Sequence, residues 1–119
     1  MTTEPIAPLI RNAWYVAAWS NQVDDKPLGR TLLGDPVVLF RDADGTVGAL
    51  EDRCCHRGAP LTEGVVAPDG LQCGYHGMAF DVAGNCTVNP GEQIEKDRLC
   101  VRSYPIVERQ QFIWIWMGD

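Results

Sequence analysis

The strongest constraint on this chain is the placement of its two histidines, each of which follows a cysteine at ligand spacing. Cys54-Cys55-His56 and Cys73-Gly74-Tyr75-His76 give Cys-x-His, a gap of 16 residues, and Cys-x-x-His. Thiolate and imidazole are the soft and borderline ligands of zinc and iron-sulfur chemistry. Two of each satisfy either one tetrahedral zinc or one two-iron cluster in which histidines replace cysteines on one iron. Zinc motifs usually pair their cysteines at Cys-x2-4-Cys, which is absent here. The spacing therefore favours the cluster and leaves a structural zinc module as the alternative.

For four such ligands to converge, the fold must bring two separate segments side by side. Cys54 follows the strand-like stretch that ends at Glu51 and Asp52, and Cys73 follows Gly70-Leu71-Gln72. The sequence therefore predicts two loop tips that clamp one centre, each giving one cysteine to one iron and one histidine to the other. Gly58, Gly74 and Gly77 leave room for backbone N-H groups to approach the sulfurs.

The rest of the chain reads as short strands at 14–19, 30–33, 37–41, 47–51, 71–73, 101–103 and 112–117. Turn chemistry separates them: Asp42-Ala43-Asp44-Gly45, Pro68-Asp69-Gly70 and Ala83-Gly84-Asn85. No stretch sustains a 3.6-residue apolar period, so an all-β sandwich or small barrel of antiparallel strands is expected. At 119 residues the whole chain, 1–119, is expected to form one domain. The run Phe112-Ile113-Trp114-Ile115-Trp116 is apolar at every position, which predicts a strand buried on both faces. Its position just before the last residues, Gly118-Asp119, raises the expectation of further protein beyond. Residues 89–98, around Pro90-Gly91, read as a long surface loop.

Ten Lys and Arg against sixteen Asp and Glu give a net charge of -6. Nucleic acid and anionic membrane surfaces call for concentrated positive charge, so neither is an expected partner. No apolar run approaches the roughly 20 residues of a membrane span, and the first ten residues lack a signal-peptide pattern. Five cysteines in such a chain point to metal binding or free thiols in a reducing compartment, and a cytoplasmic location is expected.

The two motifs resemble the Rieske fingerprint. Arg11-Asn12-Ala13-Trp14-Tyr15, His56-Arg57-Gly58-Ala59-Pro60-Leu61, Tyr75-His76-Gly77 and Trp114-Ile115-Trp116-Met117-Gly118-Asp119 resemble the N-terminal domain of Rieske non-haem iron oxygenases of the vanillate O-demethylase or phthalate dioxygenase type. The resemblance implies an antiparallel β-sandwich with a small cluster-binding subdomain formed by two loops. It implies a [2Fe-2S] cluster on Cys54, His56, Cys73 and His76, and no catalytic residue in this chain. It also implies a mononuclear iron in a catalytic domain absent here, because both histidines are already committed. High-potential relatives bridge the loops with a disulfide, but the corresponding positions here are Ala59 and Tyr75. The serine that raises their potential is Met78, so a value near the low end of the Rieske range, roughly -150 mV, is expected. Cys55 stands where the family usually has proline.

As partners, the resemblance implies a reductase or ferredoxin donor, a catalytic oxygenase domain as acceptor, and a homotrimer in full-length form. The expected function is single-electron transfer for O2-dependent aromatic hydroxylation or O-demethylation, with a free-standing Rieske ferredoxin as the alternative. Other prominent residues have plainer readings. Cys55, Cys86 and Cys100 read as small apolar thiols, and Trp14, Trp19, Trp114 and Trp116 as core packing. Arg53 and Arg57 read equally as partner-steering charges or as salt bridges to Glu51, Asp52 or Glu63. The neighbours Glu51 and Asp52 point to opposite faces of a strand, which argues against a catalytic carboxylate pair.

Overall fold

The computed structural model describes residues 10–54, 59–74, 77–88 and 101–118. Ten strands are seen among them: β1 (Ala13–Trp19), β2 (Leu28–Leu32), β3 (Asp35–Arg41), β4 (Val47–Glu51), β5 (Val65–Ala67), β6 (Gly70–Gln72), β7 (Ala79–Phe80), β8 (Cys86–Val88), β9 (Ile106–Arg109) and β10 (Phe112–Met117). Short 3-10 turns at Ser20–Gln22 and Leu61–Glu63 are the helical elements among these residues, and the all-β expectation holds.

The strands form three antiparallel sheets, ordered β1-β10-β9, β2-β3-β4 and β5-β6-β7-β8. The β2-β3-β4 sheet is the middle layer, as the alternation along β3 demonstrates. Val37 and Leu39 join a core with Ala18, Ile113, Ile115 and Met117 of the first sheet. Val38 and Phe40 join a second core with Leu71, Phe80, Cys54 and Cys73. Successive strand residues point to opposite faces, so an unbroken apolar run is what a doubly covered strand requires. The first two sheets form the sandwich, and the third packs on its other side, with Cys54 following β4 of the middle sheet and Cys73 following β6 of the third.

Polar side chains pin the layers at their margins. The Arg41 guanidinium donates to the carbonyls of Ser20, Val23 and Gly45 at 2.9, 2.7 and 3.0 Å. It also pairs in bidentate fashion with Glu108 of β9, at 2.6 and 3.1 Å. Arg30 Nε donates to Ala17 O at 3.2 Å, tying the middle sheet to β1. Two turns share one design. Asp42 Oδ1 accepts from the N-H groups of Asp44 and Thr46, and Asp81 Oδ1 accepts from those of Ala83 and Asn85. Each ends on a glycine at positive φ, Gly45 at 84° and Gly84 at 86°, where a side chain would be strained.

Several expectations change. The segment 101–103 is not a strand; it contributes one isolated bridge, Ser103 to Leu50. Strands β5, β7, β8 and β9 go unread in the sequence because they are two to four residues long. In β10 only Ile113, Ile115 and Met117 are buried. Its tryptophans face outward beside those of β1, where Trp14 and Trp19 are 44% and 51% exposed. The tryptophans thus line an open sheet face and are not core. The loop expected at 89–98 lies outside the described residues.

Candidate cluster site

The two predicted loops begin at equivalent points. The Cys54 N-H donates to Ala59 O at 2.7 Å, and the Cys73 N-H donates to Met78 O at 2.6 Å. Each hydrogen bond closes a loop whose ends are five residues apart, and each loop contains one of the two histidine positions. Both cysteines are buried within a single core cluster, packed with Leu61, Leu71, Met78 and Phe80. His56 and His76 lie outside the described residues, as do Cys55, Arg57, Gly58, Tyr75 and Cys100.

The segment between the loops explains why they are neighbours. After the first loop the chain passes through the Leu61–Glu63 turn, enters β5, reverses and returns as β6 with Val65 opposite Gln72. Gly64 therefore stands level with Cys73. A Cβ at Gly64 would collide with the Gln72 carbonyl, so glycine is what permits this close approach. The Asp52 carboxylate locks the base of the first loop by accepting from the Thr62 N-H at 2.8 Å and from the Thr62 hydroxyl. Leu61, fully buried beneath it, anchors the turn in the core.

A shared burial site for two cysteines, each opening a loop with a histidine two or three residues on in the sequence, fits a Cys2His2 donor set. Gly77, at φ 74°, adopts a conformation that other residues avoid, consistent with a tight second loop. Gly74 lies close to the Glu63 carbonyl, so the second loop abuts the return of the first. Arg53 is exposed and makes no ion pair among the described residues, which removes the salt-bridge reading for it. The Asp52 carboxylate is occupied by Thr62, consistent with a structural role. Cys86 behaves as the small buried thiol expected, donating to Val88 O at 3.2 Å. Sequence reasoning missed the Asp52 and Thr62 pair and the contact at Gly64, because neither has a local signature. Among the described residues no helix is long and apolar enough to cross a membrane.

The fold sets two loops side by side, one following β4 and the other joining the paired strands β6 and β7. Comparison with known proteins makes the class specific. The Rieske [2Fe-2S] domain family matches residues 13–105, and the chain belongs to that family. The oxygenase component of dicamba O-demethylase from Stenotrophomonas maltophilia is 52% identical over 111 residues, covering 92% of this chain and 33% of that protein. The vanillate O-demethylase oxygenase subunit of a Pseudomonas strain is 44% identical over 109 residues, covering 92% of this chain and 30% of that protein. A crystal structure of apo dicamba monooxygenase superposes with a TM-score of 0.89 at 52% identity, covering 95% of this chain and 35% of that one. The chain thus spans about a third of the length of the relatives it matches.

Proposed function

We propose that Cys54, His56, Cys73 and His76 hold a [2Fe-2S] cluster. We further propose that the chain serves as the electron-transfer domain of an oxygenase, taking single electrons from a reductase or ferredoxin and delivering them to a mononuclear iron site for aromatic hydroxylation or O-demethylation. The observation that carries this reading is the pair of buried cysteines in one core cluster, each opening a loop closed by its own N-H, in a chain half identical to an oxygenase component. When bound, the cluster supplies one-electron redox chemistry at a potential set by its ligands and their surroundings.

This chain's own residues contribute position and shielding. Leu61, Leu71, Met78 and Phe80 exclude water from the cysteine side, which keeps the thiolates from competing hydrogen bonds and lowers the local dielectric. The histidines would ligate the second iron, and that iron is the one from which electrons would leave. Docking one domain, oxygenase or reductase, against the loops would bring its redox centre to that iron. A cytoplasmic location and trimeric assembly belong to the same reading.

Electron paramagnetic resonance on anaerobically purified chain, before and after dithionite, tests this, with iron and sulfide measured on the same sample. A silent oxidised form that gains a rhombic signal, with about two irons per chain, is expected. Cys54→Ser and His76→Ala should each abolish it. A sample that stays silent and contains zinc would overturn the reading.

A further inference from the structure

The two cysteine loops are held shut by different means. The second is the end of a hairpin: the Cys73 N-H donates to Met78 O at 2.6 Å, and the limbs continue into the β6-β7 ladder, with Gln72 opposite Ala79 and Leu71 opposite Phe80. Its closure is a row of backbone hydrogen bonds that no single side chain supplies. The first loop has the same neck, from the Cys54 N-H to Ala59 O at 2.7 Å. Beyond the neck its ladder is missing. One limb leaves β4, which pairs with β3, and the other runs into the Leu61–Glu63 turn, so among the described residues the limbs share no strand pairing. One side chain stands in its place. The Asp52 carboxylate spans the limbs, accepting from the Thr62 N-H at 2.8 Å through Oδ1 and from the Thr62 hydroxyl through Oδ2.

Both ends of this rung are fixed. The Asp52 N-H donates to Pro36 O at 3.0 Å, which ties it to β3. Thr62 is pressed against Gly29 of β2, where an added Cβ would come within 3.0 Å of the Thr62 hydroxyl oxygen. Leu61, next to Thr62, is fully buried in the core that contains both cysteines. Asp52 stands two residues before Cys54 and four before His56, so any shift of the rung passes into the segment that carries two of the four proposed ligands. We propose that Asp52 is a positioning residue for the cluster: its double hydrogen bond to Thr62 keeps the first loop closed against the second, and breaking it makes the first loop the place where the cluster is lost. The proposal rests on the functional reading above and names the residue on which retention at that site depends. Hydrogen bonds to a charged group are stronger than those between neutral groups, and a loop opens locally at a cost set by the few contacts that close it. Removing the rung therefore opens one loop while the backbone ladder keeps the other shut.

Iron release to bathophenanthroline disulfonate from the dithionite-reduced chain tests this, with paramagnetic spectra taken on the same samples. Asp52→Ala is expected to release iron about tenfold faster than wild type, the factor that losing one hydrogen bond to a charged group gives in a local opening equilibrium. Thr62→Val, which removes the hydroxyl and keeps the N-H, should fall between the two, and Thr62→Ser, which keeps both donors, should match wild type. The g-values of the reduced cluster should shift in Asp52→Ala and Thr62→Val and return in Thr62→Ser. Gln72→Ala, at the matching place in the second loop, should stay within about twofold of wild type because the backbone ladder remains. If Asp52→Ala does not fold, Thr62→Val carries the test. Wild-type release rates and g-values in the two rung variants, even with a lowered melting temperature, would make the pair a purely structural contact and overturn the proposal, as would equally fast release from Gln72→Ala. The wild-type signal keeps the two readings separable: signal present with unchanged release sinks the positioning role only, and signal absent sinks the functional reading and this proposal with it.

Discussion

Strands β3 and β10 are alike in sequence and opposite in setting. Val37-Val38-Leu39-Phe40 and Phe112-Ile113-Trp114-Ile115-Trp116 are both unbroken apolar runs, and each is the middle strand of a three-stranded sheet. Yet all four residues of the first run are fully buried, whereas the second alternates buried and half-buried. The difference lies in what stacks on each sheet. The middle sheet is covered by the first sheet on one side and by the cysteine subdomain on the other, while the first sheet has a partner on one side only. Apolar continuity therefore does not by itself reveal whether one face of a strand or both are covered.

Truncating the doubly covered strand should have the largest effect. Phe40→Ala is expected to cost about 3–5 kcal/mol, because it leaves a cavity against Phe80 and the cysteine loops. Urea unfolding would measure it, and a loss below about 1 kcal/mol would mean the middle layer is not closely packed. The same side chain should also couple to the site, so that cluster occupancy falls with stability.

Arg41→Leu comes next at about 2 kcal/mol, since it strands three carbonyls and the Glu108 carboxylate at the margin between the sheets. This pair also predicts a pH dependence. The hydrogen bond from Arg41 holds the Glu108 carboxyl below its ordinary value of 4.5, against the opposing effect of burial. The folded state therefore binds this proton less readily than the unfolded chain does. The resulting stability is fully present above pH 4.5 and is lost as pH falls through the folded value. The gap between wild type and Arg41→Leu should accordingly narrow, by the Glu108 share alone, as the pH drops below that range, the three carbonyl bonds remaining; a gap that stays constant down to strongly acidic pH would show that the carboxylate is not involved.

On the open face the effects should be smaller. Trp114→Thr should cost about 1 kcal/mol, mainly through its edge contact with Phe112. Val16→Thr should stay within about 0.5 kcal/mol. Thermal melts of this pair against Phe40→Ala would sharpen the contrast between β3 and β10. If Val16→Thr destabilised as much as Phe40→Ala, the outer face would be part of the folding core and not an exposed surface.

What could be read from the sequence depended on how local the signal was. The cysteine and histidine spacing is short range, so the candidate site was legible before any fold was known. The strand at 47–51 was legible because Asp42-Ala43-Asp44-Gly45 precedes it, and that at 112–117 because it is apolar throughout. Strand β9 was not: its hairpin turns through Gln110 and Gln111, both at positive φ and neither a residue that advertises such a turn. Strands β5, β7 and β8 exist because they pair within one sheet, and two or three residues carry too little pattern to announce that; β6 was read, at 71–73, against the observed Gly70–Gln72.

By itself, the sequence determined the cysteine and histidine spacing, the all-β class and several of the places where the chain turns, because those follow from side-chain chemistry and backbone freedom at single positions. Only the tertiary structure decided which apolar strand is covered twice, where the tryptophans face, and how Gly64 and the Asp52–Thr62 hydrogen bonds set the two cysteine loops against each other. Each of those depends on contacts between residues distant in sequence, and burial is a property of what packs alongside, which no single strand contains.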